Sequence, residues 1–276
     1  MSPALRFRVL GSGSAGNATL VESGETRVLI DAGLGPRILA ERLQSVGVDP
    51  ESLAAIFVSH EHSDHARGAA AFSARWGVRL VGTRGTYAAA GFGAEDIAGY
   101  DILDGGAARI LGALTITGIP IPHDAAEPLA FVVAAGGASL GHATDFGHVS
   151  RGVIDAFRGC DALLIESNYD PDMLRRGPYP WSLKERILGA HGHLSNGDVA
   201  RYLGQGLGES CRTVVLAHLS QKNNHPEVAH LCASEALRRR GRTEVRLELT
   251  GAEGTEWIDV SRARPPENGS RQLRLW

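Results

Sequence analysis

One stretch, Ser59-His60-Glu61-His62-Ser63-Asp64-His65, constrains this chain more than any other. It follows an apolar run, Ala54 to Val58, that predicts a buried strand, and it precedes Ala-Arg-Gly-Ala-Ala-Ala-Phe, which predicts the start of a helix. Four candidate metal ligands, His60, His62, Asp64 and His65, therefore fall in a turn at the carboxyl end of a strand, where α/β folds place their chemistry. Imidazole and carboxylate are the usual ligands of zinc and related divalent ions. His60 and His62 are two apart and project to one side of an extended segment. Asp64 and His65 follow as the chain turns. The spacing predicts one pair on each of two neighbouring ions; the alternative is a polar turn in which Asp64 caps a helix.

The remaining composition narrows the class. The 276 residues allow one large or two small domains, and 43% hydrophobic residues can build a sizeable core. A formal net charge of −3 gives no overall electrostatic footprint for nucleic acid. Cys160, Cys211 and Cys232 are odd in number, far apart and form no C-x-x-C, so no disulfide framework is expected and a reducing compartment is favoured. The start of the chain carries no basic segment followed by a long apolar one, and no apolar run approaches the roughly 20 residues of a membrane helix. The expectation is a cytoplasmic protein with no membrane partner.

Read in order, Leu5 to Leu10, Asn17 to Val21 and Arg27 to Ile30 predict a β-meander. Gly11-Ser12-Gly13-Ser14-Ala15-Gly16 matches the dinucleotide fingerprint literally, but it leads into a strand instead of a helix, so nucleotide binding there is not expected. The loop still has the backbone freedom to approach an active site. Leu34 to Val46, Arg67 to Trp76, Thr83 to Ala90, Leu183 to Ala190, Asn196 to Leu207 and Glu227 to Arg239 predict helices. Short strands are expected at 79–81, 100–103, 108–110, 114–119, 129–135, 138–141, 162–165, 213–217, 244–249 and 255–260. Two β-rich halves with helices predict an α/β or α+β fold of two sheets packed face to face. Residues 1–260 are expected to form a single domain, followed by a polar C-terminal tail at 261–276.

His60-Glu61-His62-Ser63-Asp64-His65 resembles the HxHxDH signature of the metallo-β-lactamase-fold hydrolases. That resemblance implies a four-layered αβ/βα sandwich. His123, Asp145 and His218 each follow a predicted strand; singly each reads as a strand-end polar residue, but together and in this order they match the family. The family pattern implies that His60, His62 and His123 hold one metal and Asp64, His65 and His218 the other. Asp145 would bridge both, with water or hydroxide as the second bridge. Asp31 would support the metal-bearing loop, the alternative being a plain strand-end turn. His142, His148, His191, His225 and His230 read as structural or exposed.

Finer motifs carry the resemblance further: Gly-Ser-Gly-Ser-Ala-Gly-Asn at 11–17, Pro-His-Asp-Ala at 122–125, Ala-Thr-Asp at 143–145, Glu-Ser-Asn at 166–168, Gly-His-Leu-Ser-Asn at 192–196 and Ala-His-Leu-Ser at 217–220. Over about residues 5 to 260 the chain is similar to the bacterial WalJ/YycJ-type proteins, with Tyr169 where His is expected. This implies two divalent ions, zinc, manganese or iron, and 5′-to-3′ exonuclease action on double-stranded DNA. Catalytic roles fall to Asp64, orienting the nucleophile, and His193, binding the scissile phosphate or protonating the leaving oxygen. Ser195, Asn196 and Asn168 are candidate substrate contacts; Ser195 and Asn196 equally suit a helix cap. A phosphodiesterase acting on small nucleotide or cyclic phosphates is the rival enzyme, and a non-catalytic metal-binding regulator the rival class. Arg175, Arg176, Lys184 and Arg186 form a candidate basic patch for DNA. Oligomeric state is not given by the sequence.

Overall fold

The computed structural model describes residues 4–260; the expected tail at 261–276 lies outside them. The first half runs β1 (Leu5–Gly11), β2 (Ala18–Ser23), β3 (Thr26–Ile30), α1 (Pro36–Ser45), β4 (Ala55–Phe57), α2 (Ser63–Ala66), α3 (Ala69–Trp76), β5 (Leu80–Gly82), α4 (Arg84–Ala90) and β6 (Tyr100–Ile102). The second runs β7 (Ala108–Leu111), β8 (Leu114–Pro120), β9 (Leu129–Ala135), β10 (Ala138–Ala143), α5 (Arg151–Phe157), β11 (Ala162–Glu166), α6 (Pro171–Arg176), α7 (Trp181–Leu188), α8 (Asn196–Gln205), β12 (Thr213–Ala217), α9 (Pro226–Arg239) and β13 (Arg246–Leu249). Finally β14 (Ile258–Asp259) returns to pair with β1.

Each half traces the same path. In the first sheet β1, β2 and β3 are antiparallel, and β4, β5 and β6 then add in parallel. In the second sheet β7 to β10 are antiparallel, and β11, β12 and β13 follow in parallel. Parallel neighbours need crossovers, which α3, α8 and α9 help supply.

The central strands are apolar throughout because both their faces are covered. In β11, Ala162 and Leu164 face the layer between the sheets while Leu163 and Ile165 face the outer helices. In β4, Ala55 and Phe57 point inward and Ile56 outward. Phe57 meets Phe131 of β9 edge-on at 5.8 Å between ring centroids. Truncating such a fully buried Phe to Ala costs about 3–5 kcal/mol. α1 and α3 cover the outer face of the first sheet; α5, α8 and α9 cover that of the second. The resulting order is helix, sheet, sheet, helix, as the sequence resemblance implies.

Local departures from the sequence reading have local causes. The helix expected over 67–76 is divided at Gly68, because this turn packs against the loop after β3: a Cβ at Gly68 would lie 2.0 Å from the Leu34 carbonyl oxygen. α1 starts at Pro36, whose fixed φ suits a first helical turn. Two short helices, α5 and α6, were not read from the sequence. Each is capped by a side chain, Ser150 accepting from the Val153 amide and Asp170 from those of Asp172 and Met173. Such short helices carry little periodicity, so the cap is their main signal.

Candidate metal centre

The site forms where the carboxyl ends of β3, β4, β8, β10, β11 and β12 approach one another. Among the described residues, only three non-glycine residues have positive φ: Asp31 (63°), Asp145 (57°) and His218 (53°). Each stands just beyond the end of a strand, and each belongs to this site. A left-handed conformation costs an L-residue roughly 1–2 kcal/mol, so the surrounding packing holds these turns against their preference.

His60, His62 and His123 form one ligand group, with ligand atoms within 4.8 Å of one another. Asp64, His65, Asp145 and His218 form a second by the same measure. Asp145 spans the two, its Oδ2 lying 2.5 Å from His65 Nε2 and 3.5 Å from His60 Nε2. Its Oδ1 lies 2.5 Å from His218 Nδ1. The sequence-predicted ligands are therefore gathered in one place, although His60 and His218 are separated by most of the chain.

The surrounding atoms prepare the rings to coordinate. His60 is fully buried, its Nδ1 lies 3.0 Å from Ser59 Oγ, and its Nε2 has no hydrogen-bond partner among the described residues. Burial, reinforced by His65, lowers the His60 pKa well below the ordinary value and leaves the ring neutral, the form that binds metal. His123 Nδ1 lies 3.1 Å from the backbone oxygens of His191 and Gly192, leaving Nε2 toward His62 Nδ1 at 3.2 Å. Burial likewise lowers the His123 pKa.

Asp31 sits at 2.7 Å from His65 Nδ1 and accepts from Ser59, at 2.8 Å from its amide and 3.0 Å from its hydroxyl. These contacts tie the His65 ring to the turn that carries Ser59. Against the desolvation that burial imposes, Asp145 and Asp31 push the His65 pKa up to about 10. Asp145 itself is buried, which favours the neutral acid, yet His218 and His65 hold its pKa well below the carboxylate range.

These features fit a divalent cation. A buried nitrogen without a partner, a cluster of three imidazoles, and two further clusters of imidazole and carboxylate that share Asp145 and His218 (Asp64, His65, Asp145, His218 and Asp145, Glu166, His193, His218) are what such an ion requires.

Four contributors were not singled out from the sequence. Glu166, fully buried at the end of β11, lies 2.6 Å from His193 Nδ1 and 3.3 Å from His218 Nδ1. It accepts from the Phe146 amide at 3.1 Å. Its place in Glu-Ser-Asn after an apolar strand was the available signal. Asn17 places its amide nitrogen 3.0 Å from His65 Nε2 and donates to the Asp64 carbonyl oxygen at 3.2 Å. Ser12 Oγ accepts from the His218 amide at 2.8 Å, so the glycine loop does reach the site. Asp124 lies 3.3 Å from His123 Nε2 and pairs with Arg186.

A cavity of about 350 Å³ opens over the site, lined among others by Asp64, Asp145, Asn168, Tyr179, Arg186, His193 and His218. Asn168 donates to the His218 carbonyl oxygen at 2.9 Å. Ser195 and Asn196 are not among the lining residues. Ser195 forms a capping box with Asp198 at the start of α8, and Asn196 is buried between Ser167 and Asn224. Their polar groups are spent on local structure, which is why they miss the cavity. Of the candidate basic patch, Arg186 alone lines the cavity; Lys184 is turned inward to the backbone oxygens of Arg175 and Gly177.

The β-lactamase superfamily domain matches residues 26–219. The chain belongs to the metallo-β-lactamase superfamily. As a member it is a metal-dependent hydrolase, and both ligand groups lie in or beside the matched span. It is 34% identical to the exodeoxyribonuclease WalJ of Streptococcus pneumoniae over 230 residues, covering 82% of this chain and 86% of that protein. It is 33% identical to the exodeoxyribonuclease YycJ of Bacillus anthracis over 243 residues, covering 86% and 90%. Among solved structures, the superfamily protein YhfI of Bacillus subtilis superposes with a TM-score of 0.73 over 93% of this chain and 99% of its own, at 17% identity, which reflects shared fold. Among the described residues, no helix is long and apolar enough to cross a membrane.

Proposed function

We propose that this protein is a binuclear phosphodiester hydrolase that removes nucleotides from the 5′ ends of duplex DNA. The observation carrying the reading is that a chain 34% identical to proteins named exodeoxyribonuclease brings a three-histidine group and an Asp64–His65–Asp145–His218 group side by side, with Asp145 Oδ2 near both His65 and His60. Direction and duplex preference rest on the motif resemblance alone. One sandwich interior shared by both sheets supports reading residues 1–260 as a single domain.

His60, His62 and His123 would hold one ion, Asp64, His65 and His218 the other, and Asp145 both; zinc, manganese and iron all suit these donors. Divalent ions there would supply a water of lowered pKa and offset the charge of the phosphate. The remaining work belongs to side chains. Asp64 lies 3.3 Å from His218 Nε2 and at the cavity, where it can orient the attacking oxygen. His193 lines the same cavity with Nδ1 held by Glu166. Although burial opposes charge, Glu166 and Asp145 push its pKa up to about 10. With Nδ1 held by Glu166, the ring is oriented at the cavity, suited to hold the scissile phosphate or to give a proton to the leaving oxygen. Arg186 at the rim offers a further contact for backbone phosphate.

The test is digestion of 5′-phosphorylated duplex DNA by metal-stripped and metal-reloaded protein, beside bis-p-nitrophenyl phosphate, with Asp64→Ala as control. Metal-dependent release of nucleotides from 5′ ends is expected. Cleavage of the small diester with the duplex untouched would overturn the DNA assignment and leave a small-molecule phosphodiesterase.

A further inference from the structure

A larger cavity, of about 590 Å³, lies away from the metal centre, between α5 and α8 on the outer face of the second sheet. Its floor is apolar: Val149, Ile154, Leu207 and the ring of Tyr202. Tyr202 is 4% exposed, and its hydroxyl is buried with no hydrogen-bond partner among the described residues. Four arginines line the same cavity, Arg151, Arg158, Arg201 and Arg240, against two acids, Asp198 and Glu209. With Asp155, which pairs with Arg151 and Arg158, counted beside them, the four arginines still outnumber the acids in a chain whose net charge is −3.

The arginines keep donors to spare. Arg151 Nε donates to Asp155 at 2.8 Å, Arg158 Nη2 to the same carboxylate at 3.2 Å, and Arg201 Nη1 to Asp198 at 2.9 Å. Each guanidinium carries five N–H groups in a fixed fork that matches phosphate oxygens, and each of these three spends one of them among the described residues. Asp198 and Glu209 are already paired, with Arg201 and Arg240, so the cavity does not suit a metal ion. A second cavity, of about 440 Å³, shares Arg201, Gln205 and Arg240 with the first and continues across α8 onto α9, where Arg239 is paired with Glu235.

We propose that this cleft is a second ligand site that takes a nucleotide, its flat base on the apolar floor and its phosphate on the arginine rim. Inorganic phosphate would satisfy the rim but leave the floor wet. A purely apolar ligand would leave the remaining N–H groups of Arg151, Arg158 and Arg201 without an acceptor from the ligand. The volume lies within the usual range for small-molecule sites, about 300–1,000 Å³. The same chemistry has two sources: a free nucleoside monophosphate, or one unit of a nucleic-acid strand. The inference uses no residue of the metal centre and stands or falls apart from the reading of that centre.

The experiment titrates the metal-loaded full-length protein with dAMP, with a short single-stranded oligodeoxynucleotide and with inorganic phosphate, by calorimetry. It compares the unaltered chain with Arg151→Glu/Arg158→Glu/Arg201→Glu and with Asp64→Ala. Saturable dAMP binding tighter than about 1 mM is expected. It should survive Asp64→Ala and weaken at least about tenfold in the triple variant. The triple variant changes exposed side chains only; it replaces three helical ion pairs by like-charge pairs, so a small drop in thermal melting is expected, while its hydrolysis of bis-p-nitrophenyl phosphate should be unchanged. Loss of oligonucleotide binding alongside dAMP binding would assign the cleft to a strand; loss of dAMP binding alone would assign it to the free nucleotide. Absence of dAMP and oligonucleotide binding, phosphate binding as tight as dAMP, or dAMP binding lost in Asp64→Ala but kept in the triple variant would each overturn the proposal.

Discussion

Glu166 Oε1 lies 2.6 Å from Nδ1 of His193 and 3.3 Å from Nδ1 of His218, so one buried carboxylate holds both a candidate metal ligand and the candidate proton donor. Its own pKa, which burial would raise, is held below its ordinary value chiefly by His193. Glu166→Gln keeps the shape and removes the carboxylate charge beside His193 and His218. Diester hydrolysis should fall about 10–100-fold, with bound metal, read by elemental analysis, unchanged. Unchanged turnover would show that Glu166 is structural only.

The position of Asp145, a member of the second ligand group lying 3.5 Å from His60 of the first, predicts distinct stoichiometries. Unaltered protein should carry two divalent ions per chain. His60→Ala should lose one, because His60 Nε2 faces the first group, whereas Asp145→Ala should lose both. Metal counting after chelator dialysis and reloading decides the matter; a His60→Ala protein that keeps both ions would remove His60 from the ligand set.

Asp31 acts through His65 and Ser59 without reaching the cavity. Asp31→Ala should weaken metal binding by about 10–100-fold, measured by competition with a chromogenic chelator. Metal affinity equal to that of the parent would show that the loop holds its shape without this carboxylate.

The loop carrying Asp64 rests directly on Gly33. A Cβ there would lie 1.7 Å from the Asp64 carbonyl oxygen, which also accepts from the Asn17 amide at 2.7 Å. Gly33→Ala should therefore destabilise the protein by about 1–3 kcal/mol and lower its metal content. Gly159→Ala, with nothing within 4 Å of the added atom, should stay within about 0.5 kcal/mol of the parent. Denaturant unfolding of both variants provides the comparison.

His142 gives a pH prediction. It is buried in β10, its Nε2 lies 3.1 Å from Thr19 Oγ1, and burial, set against the nearby Asp31, pushes its pKa down to about 4. The unfolded chain takes up this proton near the ordinary value of about 6.5, the folded chain only near 4. Between those values the unfolded state binds more protons, so stability falls as pH drops, by up to about 3 kcal/mol. His142→Gln removes this titration. The stability difference between parent and variant should therefore change across pH 6.5 to 4, and a flat difference would contradict the assignment.

Much of this architecture was legible in the residues. β1 to β3 announced themselves as a meander, and runs such as Ala162 to Ile165 as strands, because doubly covered strands must be apolar on both faces. The cluster from His60 to His65 was legible because its ligands are local. His123, Asp145 and His218 could be chosen among eleven histidines and many carboxylates only by resemblance.

What the chain alone determined was therefore the alternation of strand and helix and the chemistry of one turn, both properties of neighbours in sequence. The tertiary structure decided which distant strand ends meet. It put Glu166 beneath His193, brought Asn17 from the glycine loop to His65, and turned Ser195 and Asn196 away into a helix cap and a buried amide network. Those outcomes depend on how two sheets register across a shared core. A hydroxyl or amide has the same local signal whether it faces a ligand or its own backbone, and only packing distinguishes the two.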